Sequence, residues 1–213
     1  PAEGQVAQEH RVAEAAFGGL NSFEVVVALD PTQAARRLTD PELYEQLEQF
    51  QAELLQHPRL PFALSPITLL AYLNSKIEGN PAAFEVPRAA TTFAIRFLIR
   101  PYLDYFAQSL DGAPPAQSSP LLESFRDSMR QLLSTTGTRL RFGCRLDGAS
   151  PEGVRSLVHE LQADFFPRWA DRLGLPRGSI YATGYAVLIG EAFAEVTTTQ
   201  RKALVFSAAS IAL

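Results

Sequence analysis

Apolar positions along the chain predict two strand–helix–strand units. In the first unit, the β-branched run at residues 23–29 has the length of a strand. Asp40 followed by Pro41 predicts the start of a helix. Apolar residues recur on this helix at helical spacing: Leu43, Leu47, Phe50 and Leu54. Residues 60–64 predict a second strand, which Pro61 would either place at a sheet edge or make irregular because proline cannot donate a ladder hydrogen bond.

The second unit opens with a predicted hairpin. Residues 129–134 and 139–146 flank a turn in which Gly137 can supply a positive φ. In the second arm three arginines alternate with apolar residues: Arg139, Arg141 and Arg145 with Leu140, Phe142, Cys144 and Leu146. This alternation predicts a strand with one polar and one buried face.

A long amphipathic helix and a last strand complete the second unit. Ser150 and Pro151 have the residue types preferred at the N-cap and at the first helical position. The predicted apolar stripe consists of Val154, Leu157, Val158, Leu161, Phe165 and Trp169. Residues 179–183 predict a strand, and Gly184 a break before a final helical stretch.

The order of these elements predicts an α+β fold. Without residues 66–126, it is the split βαβ pattern of a ferredoxin-like sandwich, with four antiparallel strands under two helices. Strands near residues 22–29, 138–146 and 178–183 should share one sheet. Helices 41–56 and 151–172 should lie on the same face of it. Residues 66–126 are then a long helical insertion in place of a short hairpin loop.

The insertion contains the densest aromatic group in the chain, on a helix that begins near residue 87 and that Pro101 should kink. Large side chains occupy more than one face, whereas a helix with a single buried face shows a narrower stripe. The predicted substrate-binding residues are Phe93, Phe97, Tyr102 and Phe106. A bound apolar ligand, a partner domain or the neighbouring helix at 67–77 could each cover them.

Composition and charge narrow the function classes. The 213 residues are 46% hydrophobic and 20% charged, which is typical of a globular domain. The net charge of −4 gives no basic face, so nucleic-acid binding is not expected. Eleven uncharged residues, 203–213, follow a polar helical run at 191–200. They are too few for a membrane span of roughly 20 residues. They resemble either the opening turns of a span or a helix that packs on the domain core.

Candidate catalytic chemistry is sparse. His10, His57 and His159 lack the spacing of a metal site, and the lone Cys144 excludes an intramolecular disulfide. Cys144 also lies on the apolar side of a predicted strand, where a cysteine behaves as a small hydrophobe. Thr183-Gly184 lacks the glycines of a phosphate loop. We therefore expect no catalytic residue, metal or cofactor. A small hydrolase on an α+β scaffold is the enzymatic rival.

Several short motifs occur in an order that resembles a known family. They are residues 17–27, Asp40-Pro41-Glu42-Leu43 before Phe50-Gln51, Leu64-Ser65-Pro66 before Leu73-Asn74, Ala182-Thr183-Gly184, and Thr199-Gln200 ahead of an apolar run. Together they resemble the large periplasmic loops of resistance-nodulation-division (RND) superfamily transporters. The similarity is greatest to the second loop of MMPL-like, hopanoid-type lipid exporters.

The resemblance implies a periplasmic, substrate-guiding porter domain at residues 19–190 of a proton-driven inner-membrane exporter. Residues 1–18 and 191–213 would be helical connectors to the preceding and following membrane spans. The implied partners are a lipid or other hydrophobic molecule, the partner periplasmic loop, the membrane through the flanking helices, and possible further copies in a homo-oligomer. The proton-relay residues would lie outside this sequence. A periplasmic protein-interaction adaptor without transport activity is the alternative. Cargo, oligomeric state and direction of transport stay open.

Overall fold

A computed structural model describes residues 21–77, 79, 128–146 and 150–211. Besides a short helix at residues 128–132, four strands and six helices with a π-helical turn are assigned in these residues. They are β1 (Asn21–Ala28), α1 (Ala34–Arg37), α2 (Pro41–Leu54), β2 (Phe62–Leu64), α3 (Pro66–Ile77), β3 (Arg139–Leu146), α4 (Pro151–Glu160), the π turn (Leu161–Phe165), α5 (Phe166–Arg172), β4 (Ile180–Thr183) and α6 (Tyr185–Ile211). The chain is therefore an α+β protein, as predicted.

The four strands form one antiparallel sheet in the order β2-β3-β1-β4. Phe23 pairs with Cys144, and Val27 pairs with Leu140 on one side and Ile180 on the other. The prediction that the first, third and last strands share a sheet is confirmed. β2 lies at an edge of the sheet. Pro61, just before β2, has no amide N–H to donate, and at an edge this costs no hydrogen bond of the sheet.

The hydrophobic core covers one face of the sheet. Alternate residues of the two central strands point into it, because side chains on a strand alternate between faces. These buried residues are Phe23, Val25 and Val27 of β1 and Leu140, Phe142, Cys144 and Leu146 of β3. Phe50 of α2 lies over them, with its ring centroid 5.0 Å from that of Phe142 and 5.5 Å from that of Trp169 in α5. Both helices therefore lie on the same face, as predicted.

Both helix starts agree with the sequence. The Asp40 carboxylate accepts a hydrogen bond from the Glu42 amide at 3.1 Å. The Ser150 hydroxyl accepts one from the Gly153 amide at 3.2 Å. Each side chain satisfies an amide that has no partner within its own helix, which fixes where the helix begins.

A carboxylate joins α2 to α5 at the margin of the core. Arg172 donates to Glu53 Oε1 at 2.8 Å, and the Trp169 indole N–H donates to Glu53 Oε2 at 3.0 Å. The hydrogen bond from Arg172 lowers the pKa of Glu53. Glu53 thereby satisfies the polar atom of an otherwise buried Trp169 side chain.

The π turn changes which residues face the core. The amide of Phe166 donates to the carbonyl of Leu161, five residues back. The buried stripe therefore continues from Leu161 to Phe166, and Phe165 is only partly buried. The predicted stripe placed Phe165 in the core because an uninterrupted α-helix brings every fourth residue back to the same side. One extra residue in the turn shifts this phase.

The prediction that residues 129–134 form the first strand of a hairpin is wrong. Residues 128–132 are helical, and Leu133 alone forms an isolated bridge with Leu140. Met129, Leu132 and Leu133 are buried. Their spacing of three and four residues brings them to one side of a helix. A short apolar run of this kind is compatible with a strand or a helix, and here the helical spacing allows all three side chains to be buried. Gly137 does have a positive φ, of 68°, as expected.

Most of the predicted insertion lies outside the described residues. α3 forms its beginning and ends at Ile77. Gly79, at the predicted break, has a φ of 64°. The second helix with its aromatic group falls in the range 81–127 and stays a prediction, as does the helical connector at 1–18.

The last helix leaves the sheet at Gly184. This glycine has a φ of 112°, and a Cβ added to it would lie 3.3 Å from the Cα of Phe23. Only glycine tolerates both conditions. α6 then packs along α4. Among the described residues, no helix combines the length and the apolarity that a membrane crossing requires.

The π turn makes a specific prediction about deletions. Removing the exposed Ala163 should convert the turn to α-helix and still leave Phe166 aligned with Leu161 on the core side. The free energy of unfolding should then change by less than about 2 kcal/mol. Removing Arg168, in the regular helix α5, should displace Trp169 and Ala170 and cost at least about 3–5 kcal/mol. Urea unfolding followed by Trp169 fluorescence measures both. Equal losses for the two deletions would contradict this account of the turn.

Candidate functional site

The four residues predicted to bind substrate cannot be placed. Phe93, Phe97, Tyr102 and Phe106 lie outside the described residues. They stay a prediction, and the site described below is built from other parts of the chain.

A cavity of about 600 Å³ lies between α4 and α6. Glu152 and Arg155 of α4 line one side of it. Phe193, Ala194 and Arg201 of α6 line the other, together with the hydroxyl side chains Thr197 and Thr198. Polar and apolar surfaces contribute about equally to the lining. The cavity is therefore amphipathic.

The packing of the two helices sets the position of this cavity. Gly190 of α6 is buried, and Ala194, one turn further on, is partly buried. Both line the cavity. Small side chains at this spacing let two helices approach closely on one side. The larger side chains Phe193 and Arg201 stand beside this contact, and the cavity lies among them.

Charges are unevenly distributed around the cavity. Arg155 Nε lies 3.7 Å from Glu191 Oε2, and His159 Nε2 lies 3.6 Å from the other oxygen of the same carboxylate. Arg155 Nε is buried without a hydrogen-bond partner. Arg201 forms no ion pair within the described part of the chain. Among the described residues of the lining, Glu152 is the one carboxylate.

A second, mainly apolar cavity of about 360 Å³ lies beside the edge strand. Phe62, Ile67 and Ala71 line it, together with the polar side chains of Gln51 and Thr68 and the carboxylate of Glu48. The Gln51 amide donates to Thr68 Oγ1 at 3.0 Å. Both polar side chains are engaged in a network with Ser65, described next. Apart from Glu48, the described lining therefore presents few free polar groups to a ligand.

Two motif residues from the sequence meet in this network. Ser65 donates a hydrogen bond to the side-chain oxygen of Gln51. Its hydroxyl also accepts from the amide of Ile67, at 3.1 Å, at the start of α3. Gln51 and Ser65 thus fasten α3 to α2. In this structure they have a clear structural role.

Cys144 is held in an unreactive state. Its side chain is fully buried in the core, and burial raises the pKa of the Cys144 thiol to about 12. Since the thiolate is the nucleophilic form, this cysteine is a poor nucleophile near neutral pH. His57 Nε2 lies 3.6 Å from Glu160, and its Nδ1 accepts from the Arg59 amide at 3.2 Å. Within the described ranges, no group of three potential metal ligands is found.

The cavity residues were not singled out by the sequence. Arg155 and Arg201 are ordinary surface arginines in a linear sequence, and they come together only through the packing of two helices. One signal was present. Phe193 and Val196 interrupt an otherwise polar helical run, and an aromatic residue on a polar helix is a reason to look for a ligand or partner.

The comparisons add no named relative. Neither protein-family models, curated proteins nor solved structures give a match to this chain. The site is therefore interpreted from its own residues.

The state of Cys144 is testable by thiol labelling. Ellman's reagent at about pH 8 should modify native Cys144 at least about a hundredfold more slowly than the urea-unfolded chain, because the thiol is buried and protonated. In Ser156→Cys, the added thiol is exposed on α4 and should label rapidly, so that one of two thiols reacts in the native protein. Rapid labelling of both would contradict the description of Cys144.

Proposed function

We propose that this chain is the periplasmic substrate-guiding domain of a proton-driven RND-type exporter of lipids or other amphipathic molecules. One observation carries the proposal: the strand order β2-β3-β1-β4, with α2 and α4–α5 on one face. This arrangement matches that of a ferredoxin-like sandwich, the fold that the resemblance implies for a porter domain. The order of the family-like motifs along the chain links this fold to the transporter.

The direction of α6 supports a role in transmitting movement. The helix starts next to β1, packs along α4 and continues to Ile211, in the region that would lead to the next membrane span. A shift of that span would tilt the sandwich as a rigid body. Porter domains that rock in this way open and close a crevice against a partner loop.

The state of the candidate nucleophile supports a non-catalytic domain. Cys144 is buried with a raised pKa, and the two described histidines each face a glutamate. Nucleophilic catalysis needs a base within hydrogen-bond reach of an accessible nucleophile. In the proposed domain, which binds and guides cargo, Cys144 and these histidines would have no catalytic role.

A protein-interaction adaptor is the second candidate. The observation that favours it is the apolar stripe of α6, which consists of the exposed residues Tyr185, Leu188, Phe193 and Val196. Exposed apolar patches mark interaction sites. In an adaptor this stripe would bind a partner protein, and loss of the domain would leave lipid export by other proteins unaffected.

The two functions predict different gene contexts and different activities. A transporter gene must encode about a dozen membrane spans and a second related loop, whereas an adaptor gene needs neither. For the complete protein in inverted membrane vesicles, we expect movement of a fluorescent phospholipid that depends on a proton gradient. Lack of lipid movement in vesicles that contain the folded protein would reject the exporter proposal.

The aromatic insertion should carry the recognition surface. Phe93→Ala, Phe97→Ala and Phe106→Ala are the test variants, and Phe50→Ala is the core control. Phe50→Ala should lower the free energy of unfolding of the domain by about 3–5 kcal/mol. At least one of the three test variants should unfold like the unchanged chain and still abolish lipid export. Large stability losses in all three, with export falling only in step with protein abundance, would place recognition elsewhere.

A further inference from the structure

We propose that the cavity between α4 and α6 binds one anionic amphiphile, a molecule with a carboxylate or phosphate head and an alkyl chain. Arg155 and Arg201 would hold the head, and Phe193 and Ala194 would contact the chain. A volume of about 600 Å³ is within the range of small-molecule sites. The role of this ligand as cargo rests on the proposed function, but its binding does not.

The charge of the head follows from the arginines. Arg201 has no carboxylate partner among the residues the structure describes, although it lines the cavity. Glu191 approaches Arg155 most closely at Nε, and that nitrogen still lacks a hydrogen bond. Guanidinium groups bind carboxylates and phosphates through paired hydrogen bonds. Arg201 therefore has unused capacity for an anion. Arg155 Nε is itself buried, so Arg155 would contribute through the exposed part of its side chain.

Glu152 limits the charge that the site accepts. It is the one carboxylate among the described residues of the lining, and Glu191 beside Arg155 is a second carboxylate close by. Both repel a head that carries more than one negative charge, and Arg201 offers a single positive charge for the head to match. The site is therefore expected to prefer a fatty acid or a phosphodiester to a dianionic phosphate monoester.

The apolar side of the cavity would contact the alkyl chain of the ligand. Phe193 lines the cavity while 62% of its surface is exposed to solvent. Covering an exposed aromatic ring with an alkyl chain removes apolar area from water. Ala194, which is only partly buried, adds little bulk next to the ring, so an alkyl chain can lie along α6 beside Phe193.

Binding can be measured with monomeric amphiphiles. Isothermal titration calorimetry of the protein with laurate, kept below its micellar concentration, should show one binding site. Arg201→Gln and Arg155→Gln should each weaken binding by about tenfold, because each removes a charge-assisted hydrogen bond. Arg177→Gln is the matched control. Arg177 pairs with Asp171, away from the cavity, so its loss should not change the affinity.

Two further comparisons separate the contribution of the charged head to binding from that of the alkyl chain. Dodecanol, which is neutral, and acetate, which has no chain, should each bind at least about tenfold more weakly than laurate. Phe193→Ser should weaken laurate binding by about tenfold, whereas Tyr185→Ser, on the same helix but outside the cavity, should not. No laurate binding, or equal losses in Arg177→Gln and Arg201→Gln, would overturn the proposal. Thermal unfolding of each variant establishes that it is folded.

A membrane surface presents the same anionic heads and alkyl chains as a free amphiphile. Vesicles therefore test whether the cavity binds a single amphiphile or the protein binds a membrane surface. Vesicles of phosphatidylcholine with phosphatidylglycerol present many anionic heads at once. If the protein binds these vesicles without loss in Arg155→Gln, and Arg155→Gln also leaves laurate binding unchanged, the arginines do not form a ligand site and the proposal fails. If laurate competes with vesicle binding and Arg155→Gln weakens both, the cavity is the site for a single lipid molecule. Failure of laurate binding would leave the exporter proposal intact, because export is measured separately.

Discussion

The aromatic contact between Phe50, Phe142 and Trp169 is the interaction on which the rest of the structure depends. It joins three separate parts of the chain, since Phe50 belongs to α2, Phe142 to β3 and Trp169 to α5. The rings meet nearly edge to face, an arrangement that aromatic pairs prefer. Glu53 fixes the indole N–H at the margin of this cluster. The positions of both helices over the sheet follow from these contacts.

Strands and helix starts could be predicted because they depend on local rules. Asp40 and Ser150 cap their helices where the sequence indicated, and the alternation in β3 gave its buried face correctly. The phase of the second long helix could not be predicted. Phe165 and Phe166 are both large and apolar, and only the backbone of the π turn decides which of them enters the core.

The candidate site was much less predictable than the fold. A cavity between helices depends on the packing of residues that are distant in sequence, and single arginines carry no marker of that packing. The short run containing Met129 and Leu132 shows the same limit on a smaller scale, because few residues are available to distinguish a helical from an alternating period.

Gly184 has a mechanical consequence for α6. Because a side chain at this position would meet the backbone of Phe23, the first turn of α6 is held closely against β1. The 27 residues of α6 make a helix about 40 Å long. A rotation of about 5° at Gly184 would move its far end by about 3.5 Å. The close approach of Gly184 to Phe23 therefore fixes the direction of α6. Because the helix is long, a substitution that changes this direction by a few degrees would shift the contacts at its far end.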